Sequence, residues 1–224
     1  DRFMRQMTLI ALAAWLAGPV TAQVVPPTSV EAITTAETSW DAAYSVANDP
    51  LTTDVLTWLR LREGDAIFPE YQAFMRTHAD WPGVRRLRAA AELVIEKGHD
   101  PAEVIAWFAD EAPQTGEGAV RLAEALMTSG RIEEARLALR EAWIGLRLTK
   151  EGHDAMLASF PDLLEPFHVA RTDALLWRAR RTEATRMLPL LDDDQRALAA
   201  ARIGYMTRTR NMLPLFSKVP PALR

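Results

Sequence analysis

The stretch from Gly116 to Trp143 constrains this chain more than any other. Ala119, Leu122, Ala123, Leu126 and Met127 recur at the spacing of one helix face, with Arg121, Glu124 and Thr128 opposite. Ser129-Gly130 interrupts the run, and glycine readily takes the left-handed conformation that ends a helix. A second apolar stripe follows at Ile132, Ala135, Leu139, Ala142, Trp143 and Leu146, facing away from Glu133, Glu134, Arg140 and Arg147. Small residues at Ala123 and Ala135 let two helices approach closely, while Leu122, Leu126 and Leu139 fill the space between hairpins. One such hairpin cannot bury its own face, so neighbours must stack on it.

The order of leucine, glycine and Glu-Ala in this hairpin is close to the tetratricopeptide pattern. A weaker copy occurs at Leu175, Leu176, Ala179, Glu183, Ala184 and Leu188, where the leucine, small residue and Glu-Ala keep the offsets of Leu126, Gly130, Glu134 and Ala135. The two copies lie too far apart for a strict repeat of ~34 residues. The expected fold is therefore all-α: an irregular superhelix of antiparallel helical hairpins, a tetratricopeptide-like solenoid. Further helices are predicted over 30–47, 53–62 and 69–77, and from Asp80-Trp81-Pro82 with Val84, Leu87, Ala91, Val94 and Ile95 inward. Asp100-Pro101-Ala102-Glu103 is a start signal with a capping acid, proline in the first turn and a glutamate at the third position. Beyond the central hairpin, helices are expected over 150–160, 167–179, 183–191, 194–207 and 211–216. No useful period-two alternation occurs, so no strands are expected.

The N-terminus reads as an address. Arg2 and Arg5 precede an apolar run from Leu9 to Ala17, Gly18-Pro19 breaks it, and Val20-Thr21-Ala22 offers small residues to a signal peptidase. Cleavage is expected between Ala22 and Gln23. The run is about half the ~20 residues needed to span a bilayer, so no membrane span is expected once the signal is removed. Residues 1–22 are thus the signal, 23–52 a leader with a weakly patterned helix, and 53–224 the helical-hairpin domain, expected to continue past Arg224. The absence of cysteine excludes disulfides and thiolate metal sites. An export signal, a cysteine-free mature chain and Ala/Arg/Leu-rich helices point to a bacterial periplasmic protein. A net charge of −4 gives no argument for nucleic acid.

No set of residues reads as an active site, and no cofactor or metal is expected. His78, His99, His153 and His168 are scattered, and none has a second ligand at helical spacing. They read as solvated residues near helix ends. Gly116-Glu117-Gly118 lacks the strand before and the Lys-Ser/Thr after that a phosphate loop needs. Asp192-Asp193-Asp194 lacks the alternation of a calcium loop and reads as helix capping. Arg85, Arg86 and Arg88 could face an anionic polymer, although Arg88, Glu92 and Glu96 also fit a salt-laced solvent face. Trp107, Trp143 and Trp177 sit on apolar stripes and are expected in the core.

Several short motifs, taken in order, resemble the soluble lytic murein transglycosylases. They are His78-Ala79-Asp80-Trp81-Pro82-Gly83, Ala112-Pro113-Gln114-Thr115-Gly116-Glu117-Gly118, Gly130-Arg131-Ile132-Glu133-Glu134-Ala135 and Arg140-Glu141-Ala142-Trp143. Arg171-Thr172-Asp173-Ala174-Leu175-Leu176-Trp177 and Lys218-Val219-Pro220 continue the likeness. The resemblance implies a long helical region curling into a ring, followed by a lysozyme-like domain that cuts the bond between N-acetylmuramic acid and N-acetylglucosamine without water. In that family one Glu acts as general acid and then base. It is followed by Ser, with Gly-Leu-Met-Gln and Ala-Tyr-Asn motifs downstream, and none of these occurs here. The expectation is a non-catalytic scaffold portion that meets peptidoglycan through a catalytic domain beyond this chain. The alternative is a stand-alone periplasmic adaptor that binds other proteins in a groove.

Overall fold

The computed structural model describes residues 27–210 and 212–224. Every regular element among them is helical. The expected cleavage site at Ala22 and Gln23 lies outside the described residues. Two compact units are present, one ending at Leu59 and one beginning at Arg60.

The first unit is built from α1 (Pro27–Ala36), α2 (Trp40–Val46) and the first part of α3 (Pro50–Glu63). The single helix expected over 30–47 is in fact two. Ser39 caps α2 by accepting a hydrogen bond from the Ala42 amide at 3.3 Å. Just upstream, the Thr38 hydroxyl bonds the Thr35 carbonyl at 3.0 Å. Hydroxyl side chains that satisfy backbone groups locally favour a turn over continued helix. Ala32, Ala43 and Leu56 are fully buried at the centre, with Tyr44 and Val46 packed against them. A 2.7 Å hydroxyl pair between Ser29 and Thr52 ties α1 to α3.

The second unit continues through α4 (Phe68–Thr77), α5 (Val84–Leu93), α6 (Pro101–Trp107), α7 (Gly116–Thr128), α8 (Ile132–Gly145) and α9 (Lys150–Ser159). Then come α10 (Pro161–Leu164), α11 (His168–Trp177), α12 (Arg181–Met187), α13 (Asp193–Met206) and α14 (Leu213–Ser217), with short 3₁₀ turns between some of them. Helix α5 starts later than the Asp80-Trp81-Pro82 signal, because Gly83 holds a left-handed φ of 77° immediately before it.

The central hairpin is α7 folded back on α8. Gly130 takes φ 75°, the Arg131 amide reaches back to the Leu126 carbonyl at 2.8 Å, and the Gly130 amide reaches Met127 at 3.0 Å. This pair of bonds satisfies carbonyls that the helix end would otherwise orphan. The weaker copy closes the same way. Ala179 takes φ 57°, and the Arg180 amide bonds Leu175 at 2.9 Å between α11 and α12. A left-handed alanine costs ~1–2 kcal/mol where glycine costs little, so this copy keeps the geometry without the residue that makes it easy. Leu122, Ala123, Leu126, Ala135, Leu139 and Trp143 are all buried, as the two stripes require. Ile132, at the start of the second stripe, is 41% exposed.

Two glycines of α7 allow close approaches that periodicity does not announce. A Cβ on Gly116 would stand 2.6 Å from the Gly152 carbonyl carbon, and one on Gly118 would stand 2.8 Å from Cδ of Glu92. Backbone cannot give way as a flexible side chain can. Gly116→Ala is therefore expected to push α7 from α9 and cost about 1–3 kcal/mol, as overpacking does. Gly145→Ala, with open space around the new methyl, is expected to be neutral or to gain up to about 1 kcal/mol. Urea unfolding of the two variants side by side checks the contrast.

Candidate functional site: a basic groove on a buried frame

The three arginines expected to face a polymer do not share a surface. Arg85 and Arg86 are exposed, but Arg88 is only 8% exposed. Its guanidinium lies 4.5 Å over the Trp107 ring, donates to the Trp107 carbonyl and pairs with Glu111 at 3.3 Å. Glu92, one turn on, is fully buried. Its carboxylate accepts the Gln114 amide at 3.0 Å, the Thr115 amide at 2.8 Å and the Thr115 hydroxyl at 2.7 Å. The solvent face expected for Arg88 and Glu92 is thus an interior one, because both side chains have backbone to satisfy. Arg88 holds the start of the loop from Trp107 to Thr115, and Glu92 holds its end at the amide-rich start of α7, where a negative charge is favoured. Burial pushes Glu92 above the usual carboxylate range, against the opposing pull of those hydrogen bonds.

A second bracket of the same kind stands at the end of α8. Arg171 is fully buried, lies 4.5 Å over the Trp143 ring and donates to the Trp143 carbonyl. Glu183 faces it at 3.7 Å and also accepts the Leu148 amide at 3.2 Å. Burial, helped by nearby arginines and opposed by Glu183, lowers the Arg171 guanidinium to about 10. Arg178 adds a bond to the Ile144 carbonyl at 3.1 Å. Cations at a helix C-terminus meet carbonyls with no partner in their own helix, so each arginine both caps a helix and staples its neighbour to it.

His153 and His168 are interior as well, at 3% and 8% exposure, rather than solvated near helix ends. Both rings flank Trp143, with His153 stacked on it at 5.1 Å. Burial, reinforced by the charges of Arg171 and Arg186, lowers His153 to about 4 from 6.5. A histidine depressed in the folded state binds fewer protons there than in the unfolded chain. Its contribution to stability is complete above pH 6.5 and is lost as pH falls towards 4, about 3 kcal/mol in all. Glu92 is shifted the other way, so its contribution rises over the acidic range. His153→Phe, which keeps the stacking, is expected to flatten the loss between pH 7 and pH 4 by about 3 kcal/mol relative to the parent. Urea titrations at the two pH values check it.

These frames leave a groove of about 600 Å³ between the Pro113-Gln114 loop, the end of α8 and the turn before α12. Arg85, Arg147 and Arg180 line it, with Glu111 the acidic residue among its walls. Arg85 is tied through Nε to the Gln114 side chain at 3.2 Å. Arg147 is 81% exposed along its side chain and lies 3.9 Å from Glu183. Nη1 of Arg180 is enclosed and makes no hydrogen bond. Of these, Arg85 is one of the three arginines expected to face a polymer, and Arg147 is expected only on the polar flank of a stripe. A second groove of about 610 Å³ lies beside α11, α13 and α14 and is largely apolar. Trp177, expected in the core, stands 79% exposed at its edge, near Tyr205 at 78%.

No three His, Asp or Glu side chains come together as a metal site among the described residues. No described helix is long and apolar enough to cross a membrane. The chemistry the basic groove offers is anion recognition by guanidinium forks. Comparisons with protein-family models, curated proteins and solved structures give no match to this chain.

Proposed function

We propose that this chain is the non-catalytic helical portion of a periplasmic peptidoglycan lytic transglycosylase, its hairpins belonging to an irregular superhelix. The observation that carries the reading is the ordered set of motifs in the sequence, four of which span helix junctions while Arg140–Trp143 and Arg171–Trp177 lie within α8 and α11. Ala112-Pro113-Gln114-Thr115-Gly116-Glu117-Gly118 is the loop end and first turn held by Glu92 at Gln114 and Thr115, with Arg88 fixing Trp107 and Glu111 just ahead of it. Gly130-Arg131 is the turn of the central hairpin, and Arg171 is the buried staple on Trp143. In this reading the parent enzyme cleaves the bond between N-acetylmuramic acid and N-acetylglucosamine, leaving anhydro-muramyl ends, through a domain that follows this one. The apolar groove edged by Trp177 and Tyr205 is then a face for that following part to cover.

The decisive experiment has two arms. The coding sequence downstream of Arg224 should continue into a domain with a Glu-Ser pair, and the longer protein should release anhydro-muropeptides from sacculi. The purified chain from Gln23 to Arg224 should release none. Anhydro products from the shorter chain, detected by mass spectrometry and lost on changing one Glu, would overturn the scaffold role. A downstream sequence with no such domain, together with capture of a periplasmic protein, would favour the adaptor instead.

A further inference from the structure

We infer that the groove lined by Arg85, Arg147 and Arg180 is a binding site for a short peptide segment carrying at least two carboxylates. The inference goes beyond the cell-wall reading and stands whether or not that reading holds. Three observations carry it. First, the arginines come from three separate elements, the start of α5, the end of α8 and the turn before α12, so the fold rather than a local charge run brings them together. Second, their charge is only partly offset: Arg147 lies 3.9 Å from Glu183, a carboxylate that also faces Arg171 at 3.7 Å. Glu111 is the acidic lining residue, and it is already paired with Arg88 at 3.3 Å. Arg85 uses Nε to hold Gln114, which leaves its two terminal nitrogens for a ligand. Third, Arg180 lines the groove with no carboxylate paired to it among the described residues, so its guanidinium charge is left for an anion there.

The ligand class follows from charge and shape. Guanidinium forks bind planar carboxylates bidentately, and each such bond is charge-assisted. Ala112, Pro113 and Leu146 supply an apolar part of the lining, which suits the aliphatic carbons of a peptide better than a compact tetrahedral ion. A chain with net charge −4 has no overall attraction for long polyanions, so the positive groove selects a small ligand at close range.

The test is calorimetric titration of the purified chain, at low salt, with acetyl-Glu-Ala-Ala-Glu-amide. The expected result is saturable one-to-one binding that weakens about fivefold or more in Arg147→Gln and in Arg180→Gln. Arg147 is 81% exposed along its side chain but 3.9 Å from Glu183, so urea unfolding of each variant beside the titration separates loss of the ligand from a change at Glu183. Arg180→Lys, which keeps charge but loses the fork, should weaken binding in the same direction. Arg86→Gln, an exposed neighbour outside the groove, should leave affinity unchanged. The uncharged acetyl-Gln-Ala-Ala-Gln-amide should not bind. The proposal is overturned if that amide peptide binds equally, if Arg86→Gln weakens binding as much as Arg147→Gln does, or if inorganic phosphate displaces the peptide at matching concentration.

Discussion

Arg171→Ala is expected to destabilise the second unit by about 3–5 kcal/mol, the loss typical of removing one partner from a buried ion pair. The side chain does three things at once. It covers the Trp143 ring, donates to that residue's carbonyl and faces Glu183. Alanine leaves Glu183 enclosed with a charge that only the Leu148 amide and the solvent-exposed Arg147, 3.9 Å away, still address. Arg171→Met tests the source of the loss, because it restores most of the packing and none of the charge. If Glu183 is the penalty, the double replacement of Arg171 by Met and Glu183 by Gln should recover much of the stability. The equivalent Arg88→Ala should cost less, because Glu111 is 57% exposed along its side chain and can turn to water. Urea unfolding followed by circular dichroism would rank the four. Equal losses at Arg88 and Arg171 would show that what both share, the tryptophan ring and its carbonyl, dominates over the partner carboxylate.

Leu126→Asp should be at least as severe, on the order of 5 kcal/mol. Removing a buried leucine side chain alone costs about 2–5 kcal/mol. An aspartate there adds a carboxylate in a position 4% exposed, withdrawn from water. The position also closes the hairpin, since its carbonyl accepts the Arg131 amide at 2.8 Å. Leu137→Asp on α8, at a residue 51% exposed, is the control and should stay within about 0.5 kcal/mol of the parent. Unchanged stability in Leu126→Asp would mean that α7 does not present this face to the core.

Helical character, the central hairpin and its weaker copy were legible because they depend on short-range chemistry. Apolar spacing chooses the buried face of α7 and α8, and a glycine or its stand-in ends each first helix in the left-handed region. The same residues could not say what surrounds them. Glu134 and Glu183 occupy matching places in the two copies. The first lies in solvent beside Arg131, at 57% side-chain exposure, and the second is enclosed against Arg171 at 10%. The difference lies in what meets the side chain: Glu183 has Arg171 of its own hairpin and the distant-in-sequence Leu148 amide against it, and Glu134 has only Arg131 beside it among the described residues.

Arg88 and Glu92 make the same point in reverse. Their spacing is that of an exposed ion pair, yet the loop from Trp107 to Thr115 folds across them and supplies carbonyls and amides that each side chain satisfies. A buried charge is tolerated where backbone dipoles replace water, and only long-range packing decides where that happens. Trp143 and Trp177 share an apolar stripe position in sequence, but one is enclosed between helices and the other lines an open groove. The sequence by itself determined the helical class, the inward stripes of α7 and α8 and the turns that close the two hairpins, because each is set by residues within a few positions of one another. The tertiary structure alone decided which charges are enclosed and that Arg85, Arg147 and Arg180 meet, because burial and convergence belong to segments far apart in the chain.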